Sequence, residues 1–439
     1  MRNKTFRTLP RSSFAWSSVR MNRRPQNFVT CLAENGAGSA PKRVAVIGSG
    51  PAGLSSAIAL RHLNTGVEHV TVFERRSELR PELGAGLNIN GGAAVLARMG
   101  LGDKLMEIGN PIRSIRSRST DGTELLRFDL EDAFETFAGG DALRHNGELT
   151  ALTVMRSDLQ RLLASELPEG TLQLGKRLVG LEELGRGARV RFDDGTSADF
   201  DLVVGADGIN SRVRELVFGP QEPRRSNIRI QFGVCPPGAG PRAPQEQLEL
   251  HQWFGDGAYC LVYTGGSRAA RQDMVALVRG GTADVPENAG WDASAVRGDC
   301  LERLRRGGFP PEVLAVAESC DRFFDIGVRY HETLPTWSRR GSVVLLGDAA
   351  HAMPPFLGQG ANQAIQDAYS LAANLAGVGS RHRSTEDAVR AFERARIPPT
   401  AAIMQSSRFL GALETQSGLG GLVRNAIFYS MGKLRVAEK

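Results

Sequence analysis

Metal chemistry has little to stand on in this sequence, which carries seven histidines and five cysteines in 439 residues. No HExxH occurs. Cys31, Cys235, Cys260, Cys300 and Cys320 include no CxxC pair, and no clustered His/Cys set offers ligand spacing, so no metal is expected. The odd count and wide spread leave no disulfide framework either. Long apolar runs are missing: none reaches the roughly 18 residues of a membrane-spanning helix. Acids are absent from the first 33 positions, which hold Arg2, Lys4, Arg7, Arg11, Arg20, Arg23 and Arg24. The formal net charge is +6, so without those seven the rest of the chain stands at about −1. A nucleic-acid groove needs its cations on the folded body, and none is expected here.

The acid-poor start is also rich in Ser and Thr and lacks the apolar core of a secretory signal. That is the composition of an organellar transit peptide. Val29-Thr30-Cys31-Leu32-Ala33 is similar to a plastid processing site, so a plastid is expected ahead of a mitochondrion. Residues 1–40 are set aside as that leader or as a disordered tail.

What remains has the length for two or three intertwined domains and is rich in glycine. Arg43 to Ile47 is a short apolar run suited to a buried parallel strand. A helix is expected over 52–64, a strand over 70–73, a helix over 93–108, strand and loop over 112–150, and a helix over 154–167. Short strands should fill 171–204 and a β segment 227–280. A helix over 301–318, a strand over 342–347 and mostly helix over 360–437 complete the reading.

Gly48-Ser49-Gly50-Pro51-Ala52-Gly53 sits between the first strand and the first helix. A dinucleotide's pyrophosphate needs backbone N–H donors at a helix N-terminus with no side chain in the way. Gly48 permits the turn, Gly50 lets the phosphate approach, and Gly53 lets the helix pack on the strands. Glu74 ends the next strand, where a carboxylate can take both hydroxyls of an unphosphorylated ribose, as in FAD or NAD. A second apolar strand runs into Asp207-Gly208, followed by Ser211-Arg212-Val213-Arg214. A third, Val343 to Leu346, ends in Gly347-Asp348 and continues through His351, Pro354-Pro355 and Gly358-Gln359-Gly360-Ala361-Asn362. A carboxylate at a strand's end can bind a polyol hydroxyl, and the helix after the glycine turn can stabilise negative charge on a bound ring.

Together, and in this order, the three motifs resemble the group A flavoprotein monooxygenases of the para-hydroxybenzoate and salicylate hydroxylase type, from about Lys42 to about Arg408. The resemblance implies an α/β fold: a Rossmann-like FAD-binding domain interleaved with a mixed β-sheet substrate domain, and a C-terminal helical region. On that pattern the FAD domain takes 41–115, 151–220 and 336–380. The substrate domain takes 116–150 and 221–335, and C-terminal helices take 381–439. Gly48, Gly50, Ala52 and Gly53 would hold the pyrophosphate, and Glu74 the adenosine ribose with Arg75 beside it. Gly84-Ala85-Gly86 would pass near the flavin, Arg156 would lie near the phosphates, and Val179 near the adenine. Asp207 and Gly208 would serve FAD and the pyridine nucleotide. Asp348 would bind the ribityl chain. Pro355 and Gly358 to Asn362 would lie along the isoalloxazine, with the backbone of Gly360 and Ala361 toward N1 and O2.

The activity so implied uses NADPH or NADH and O2 to hydroxylate or epoxidise an electron-rich aromatic or isoprenoid/quinone molecule through a flavin C4a-hydroperoxide. An FAD-dependent reductase or dehydrogenase of isoprenoid metabolism and a non-enzymatic FAD-binding protein are the alternatives. No catalytic base stands out, and His351 reads better as packing behind the flavin turn. Tyr259, Leu261 and Tyr263 alternate and so share one strand face, open to a role either in the substrate pocket or in ordinary sheet packing. Residues 418–437, with Leu419, Leu422, Val423, Ile427 and Phe428, read as a helix docked on the body or touching a membrane or partner.

Overall fold

The structure is a computed structural model and describes residues 40–79, 84–138, 140–281 and 293–433. The expected leader, apart from Ala40, lies outside the described residues.

Strand Arg43–Ile47 is apolar after its first residue, and Val44 to Val46 have no solvent contact. Burial on both faces is what a parallel sheet demands. The strand pairs in parallel with His69–Phe73 on one side and Leu202–Gly205 on the other. The sheet runs in the order Leu172–Gln173, His69–Phe73, Arg43–Ile47, Leu202–Gly205, Val343–Leu345, Ser338–Arg339, with only the last pair antiparallel. Helices Pro51–His62 and Gly360–Leu375 pack against each other and share its apolar cluster.

A second, seven-stranded sheet has the order Arg322–Tyr330, Arg224–Val234, Gln272–Arg279, Ala258–Gly265, Glu249–Phe254, Ser114–Ser119, Glu124–Asp129. Its pairs are antiparallel except Glu249–Phe254 with Ser114–Ser119. Alternation splits its side chains between two cores. Phe254, Tyr259, Tyr263, Met274 and Ala276 share one cluster. Trp253, Cys260, Val262, Val275 and Leu277 share the other with Cys300, Leu304, Val313 and Val316 from helices Ala293–Arg306 and Pro311–Ser319. A small sheet of Gly86–Ile89, Leu152–Met155 and Gly109–Pro111 lies beside the first cluster.

Three local expectations change. Within 112–150, Leu130–Ala138 is helical, started by the Asp129 carboxylate, which accepts from the N–H of Glu131 at 2.9 Å and Asp132 at 3.3 Å. The helix over 93–108 is interrupted where Gly100 takes a φ of 84°. The helix over 301–318 is two helices: the first ends at Arg306, where Gly308 turns the chain with a φ of 66°, and Pro311 opens the second. Beyond these, helix Thr385–Glu414 lies on Gly360–Leu375, and helix Gly418–Lys433 packs on strand Glu124–Asp129.

Candidate functional site

The glycine turn sits directly over the parallel sheet. Gly48 has a φ of 107° and donates its N–H to Phe73 O at 2.7 Å. A Cβ there would lie 2.4 Å from Ala206 O, and one at Gly53 only 1.9 Å from Gly48 O. Gly50 differs: a Cβ would meet nothing within 4 Å. Gly48 and Gly53 are therefore glycine for the fold, whereas Gly50 is glycine at an open approach. The N–H groups of Ala52 and Gly53, in the first helical turn, have no intrahelical acceptor and point out of the N-terminus. Half-buried Glu74 accepts from Ser49 N at 3.1 Å, Ser49 Oγ at 2.8 Å and Arg76 N at 3.0 Å, which leaves carboxylate lone pairs to spare. Arg75 is exposed beside it. Val179 is exposed on strand Leu178–Glu183, its carbonyl accepting from Arg212 at 3.3 Å.

Across the sheet, Asp348 opens the short helix after strand Val343–Leu345. It keeps solvent contact on one side while protein atoms crowd it on others. That crowding raises its carboxyl above the ordinary range, against the lowering influence of His351, Arg156 and His331. Arg156, at the start of helix Arg156–Ser165, is likewise open to solvent yet hemmed in. Desolvation and the charge of Arg76 push its guanidinium down, while Asp348 and Glu74 push it up. Gly84 packs against the Arg156 side chain, where a Cβ would lie 3.2 Å away. Gly86 donates to Met274 Sδ at 3.1 Å, so the expected flavin loop is tied to the second sheet. Pro355 is exposed in a short 3-10 turn, and Gly358 follows it in the left-handed region. Helix Gly360–Leu375 then begins without a side-chain cap, and a Cβ on Gly360 would meet nothing within 4 Å. Ala361 is half-buried behind it.

Two residues expected beside the cofactor have their side chains turned to other work. Asp207 accepts from Ser211 Oγ at 2.5 Å, Arg212 N at 2.7 Å and Val213 N at 3.2 Å, capping helix Arg212–Phe218, and Gly208 takes a φ of 83° beside it. Burial raises the Asp207 carboxyl, and these hydrogen bonds oppose the rise. Asn362 is fully buried. Its Oδ1 accepts from Asn90 N at 2.8 Å and Gly92 N at 2.9 Å, and its Nδ2 donates to Asn88 O and Gly358 O, both at 3.0 Å. It is a strut for the glycine turn.

The sequence reading missed the groups that brace the site from behind. Asp367 has no exposure and accepts from Gly347 N at 3.0 Å, His351 Nε2 at 2.6 Å and Arg396 Nε at 2.7 Å. His351 thus packs behind the turn, as its place in the motif suggested. Arg214 donates to the carbonyls of Ala349 at 3.2 Å and Ala350 at 3.0 Å, locking the second motif to the third. Burial among neutral groups pushes it down to about 10.

Tyr259, Leu261 and Tyr263 all join the cluster that also receives Phe356 from the loop after Asp348 and Leu410 and Leu413 from the long helix. At one end of this face stands Glu414, which no sequence motif marks. It is buried beside Tyr259 and accepts from Gln252 Nε2 at 2.7 Å, and Gln252 Oε1 in turn accepts from Ser117 Oγ at 3.1 Å. Burial pushes its carboxyl up to about 7, against the effects of Gln252, Tyr259 and Arg424. A raised carboxyl binds its proton more tightly in the folded state, so its contribution is full below the unfolded pKa near 4 and is lost as pH rises toward 7. Glu414→Gln is expected to flatten the pH dependence of stability between about pH 4 and 7, by on the order of 2–3 kcal/mol across that window. Urea denaturation at a series of pH values checks this, and parallel curves for both proteins would contradict it.

A glycine cradle at a helix N-terminus, an acid at the next strand's end, a cation and an acid within electrostatic reach of each other, and a second, uncapped helix N-terminus define a flavin-dinucleotide enzyme. Residues 42–407 match the family model described as FAD binding domain, and the chain belongs to that family, among the class A FAD-dependent monooxygenases. It is 34% identical over 371 residues to the 3-amino-4-hydroxybenzoate 2-monooxygenase of Streptomyces cremeus, covering 84% of this chain and 86% of that one. It is also 34% identical over 340 residues to the 6-hydroxynicotinate 3-monooxygenase of Bordetella bronchiseptica, covering 75% and 81%. Among solved structures, an HpxO variant from Klebsiella pneumoniae complexed with FAD matches with a TM-score of 0.75 at 25% identity, over 90% of this chain and 96% of that one. The protein is an FAD-dependent monooxygenase. The open approach at Gly50, the facing Arg156 and Asp348, and the uncapped helix at Gly360 fit that cofactor.

Proposed function

We propose that the protein hydroxylates an electron-rich aromatic small molecule bearing a hydroxyl or amino group, using NADPH or NADH and O2. The observation that carries this is an apolar, aromatic-lined sheet face ending in the buried Glu414–Gln252 pair, set beside the flavin loop. The similar proteins named for aminohydroxybenzoate and hydroxynicotinate oxygenation support it and disfavour the reductase alternative.

Bound FAD supplies the redox and oxygen chemistry. The chain's part is to hold, shield and orient. The first turn of helix Pro51–His62 would take the phosphates through N–H groups and its dipole, with Arg156 adding charge. Glu74 would accept from ribose hydroxyls, and Asp348 from the ribityl chain. The N-terminus of helix Gly360–Leu375 would stabilise negative charge on the ring. The sheet face from Phe254 to Met274 excludes water from the reacting carbon. Glu414, poised near neutrality, can accept a hydrogen bond or proton from a substrate hydroxyl or amino group, as it accepts hydrogen bonds from Gln252 and Tyr259 in the structure.

The test is a panel of hydroxybenzoates, aminohydroxybenzoates and hydroxypyridine carboxylates incubated with the FAD-loaded enzyme, NAD(P)H and labelled O2. At least one should stimulate NAD(P)H oxidation and gain one labelled oxygen by mass spectrometry. Oxygen uptake that ends wholly in hydrogen peroxide with every compound would overturn the assignment. Asp348→Asn should weaken FAD binding by about 10–100-fold, the loss of a charged hydrogen-bond acceptor. Fluorescence titration of the apoprotein measures that.

A further inference from the structure

The last described helix is mounted with Gly421, Arg424 and Phe428 inward. Arg424 of helix Gly418–Lys433 is 2% exposed. Its guanidinium donates to Glu414 O at 2.8 Å, Gln416 O at 3.2 Å and Gly255 O at 2.9 Å, and it lies over the Phe254 ring at 4.8 Å. Phe428 packs on the same ring at 5.1 Å, and Gly432 passes so near strand Glu124–Asp129 that a Cβ would be 2.6 Å from Leu125 O. These contacts fix the helix's rotation and leave the opposite side to solvent. That side carries Leu419 (82% exposed), Leu422 (66%), Val423 (57%) and Ile427 (41%), spaced three and four apart, with Ala426 and Ser430 between them and Tyr429 at the edge. Phe409, on the preceding helix, is 70% exposed. Of ten exposed large hydrophobic residues among the described ones, six lie on these two helices, and the other four are scattered. Scattered apolar residues need no account, but a contiguous apolar face does.

We propose that this face docks on an anionic lipid surface, lying in the headgroup boundary without crossing it. No described helix is long and apolar enough to cross a membrane. The face exposes on the order of 400–600 Å² of apolar side chain. Up to Lys433 it presents no charged group to fix the orientation of a protein partner, which a bilayer does not require. Helix Gly418–Lys433 contains no acid. Lys433 closes it, and the sequence goes on to Arg435 and Lys439 against the single acid Glu438. Lys433, at one end of the apolar face, complements anionic headgroups, and Tyr429 suits the same boundary.

Flotation of the full-length, FAD-loaded protein with vesicles tests this. Vesicles of three parts phosphatidylcholine to one part phosphatidylglycerol should carry the protein, and pure phosphatidylcholine should carry several-fold less, with binding to the former falling as salt rises. Leu419→Glu with Leu422→Glu should lower binding at least about tenfold while flavin absorbance and thermal unfolding stay unchanged. Leu422→Ser, a milder change at the same exposed site, should lower it less and serves if the double variant does not express. Lys433→Gln should remove part of the preference for phosphatidylglycerol. Wild-type protein that fails to float with the anionic vesicles overturns the proposal. So does a lipid-free dimer, seen by light scattering, that the Leu419 and Leu422 substitutions dissociate.

Discussion

A Gly50→Val protein is expected to fold, purify and be colourless. Gly50 has a φ of −76°, which any residue can adopt, and its Cβ direction meets no protein atom within 4 Å. Valine therefore strains nothing in the folded chain. What it fills is the approach to the N–H groups of Ala52 and Gly53, where a pyrophosphate must come close. FAD affinity should fall at least about 100-fold, or roughly 3 kcal/mol, while the thermal midpoint of the apoprotein stays within a few degrees of wild type. Gly53→Ala separates the two roles of glycine in the turn. Its Cβ would meet the Gly48 carbonyl at 1.9 Å, so it should destabilise the apoprotein as well. The ratio of visible flavin absorbance to protein absorbance, read beside apoprotein melting, decides between these outcomes. A Gly50→Val protein that retains stoichiometric FAD would remove this turn from the cofactor site.

Asp367→Ala is expected to carry the largest stability loss of any single substitution considered. The Asp367 carboxylate lies between His351 and Arg396 and also holds the N–H of Gly347. Removing it leaves the buried Arg396 guanidinium without a counter-charge and a backbone donor unpaired, at a cost of about 3–5 kcal/mol. Because Gly347 precedes Asp348, the damage should reach the flavin, and occupancy should fall with stability. The sign with pH follows from the carboxyl's shift. Burial alone would raise it, but the charges of His351 and Arg396, with their hydrogen bonds, carry it below its ordinary value. A lowered carboxyl contributes stability above its unfolded pKa, near 4, and loses it as pH falls through the folded value. Wild type should thus weaken below about pH 4 more steeply than Asp367→Asn. Urea denaturation from neutral to acid pH measures both effects. An Asp367→Ala protein within 1 kcal/mol of wild type would show that the network contributes little.

The sequence made the cofactor cradle readable because its determinants are local. Gly48, Gly50 and Gly53 act within six residues through backbone geometry alone, and Glu74 and Asp348 stand at the ends of apolar strands that announce themselves. Asp367 could not be read in the same way. It looks like any polar residue in a helix, and its meaning depends on His351 and on Arg396, 29 residues further on. Glu414 is harder still, since its partner Gln252 lies 162 residues earlier on another sheet. Asn362 was placed beside the ring by its motif, yet its side chain serves Asn88, Asn90 and Gly92, a long-range use that spacing cannot disclose. The helix Leu130–Ala138 had a visible start at Asp129, but charged residues at 131, 132 and 135 masked its apolar side. In helix Gly418–Lys433, only packing shows that Arg424 and Phe428 face inward while Leu419, Leu422 and Val423 stay exposed.

The interleaving of the two sheets also dictates an order in time. The parallel sheet draws its strands from near residues 43, 69, 172, 202 and 343, and the seven-stranded sheet occupies much of the chain between the last two. Synthesis of the whole chain at 5–20 residues per second takes roughly 20–90 s. For most of that interval the glycine turn exists without Val343–Leu345, Asp348 or the helix at Gly360, so only half of the cradle is present. The closing strand must then enter beside Leu202–Gly205 across more than a hundred intervening residues, a slow, non-local pairing. The full FAD cradle thus exists only once Val343–Leu345 and Asp348 have joined the assembled chain, and growth in flavin-limited cells should accumulate a compact, nearly complete apoprotein rather than an unfolded one.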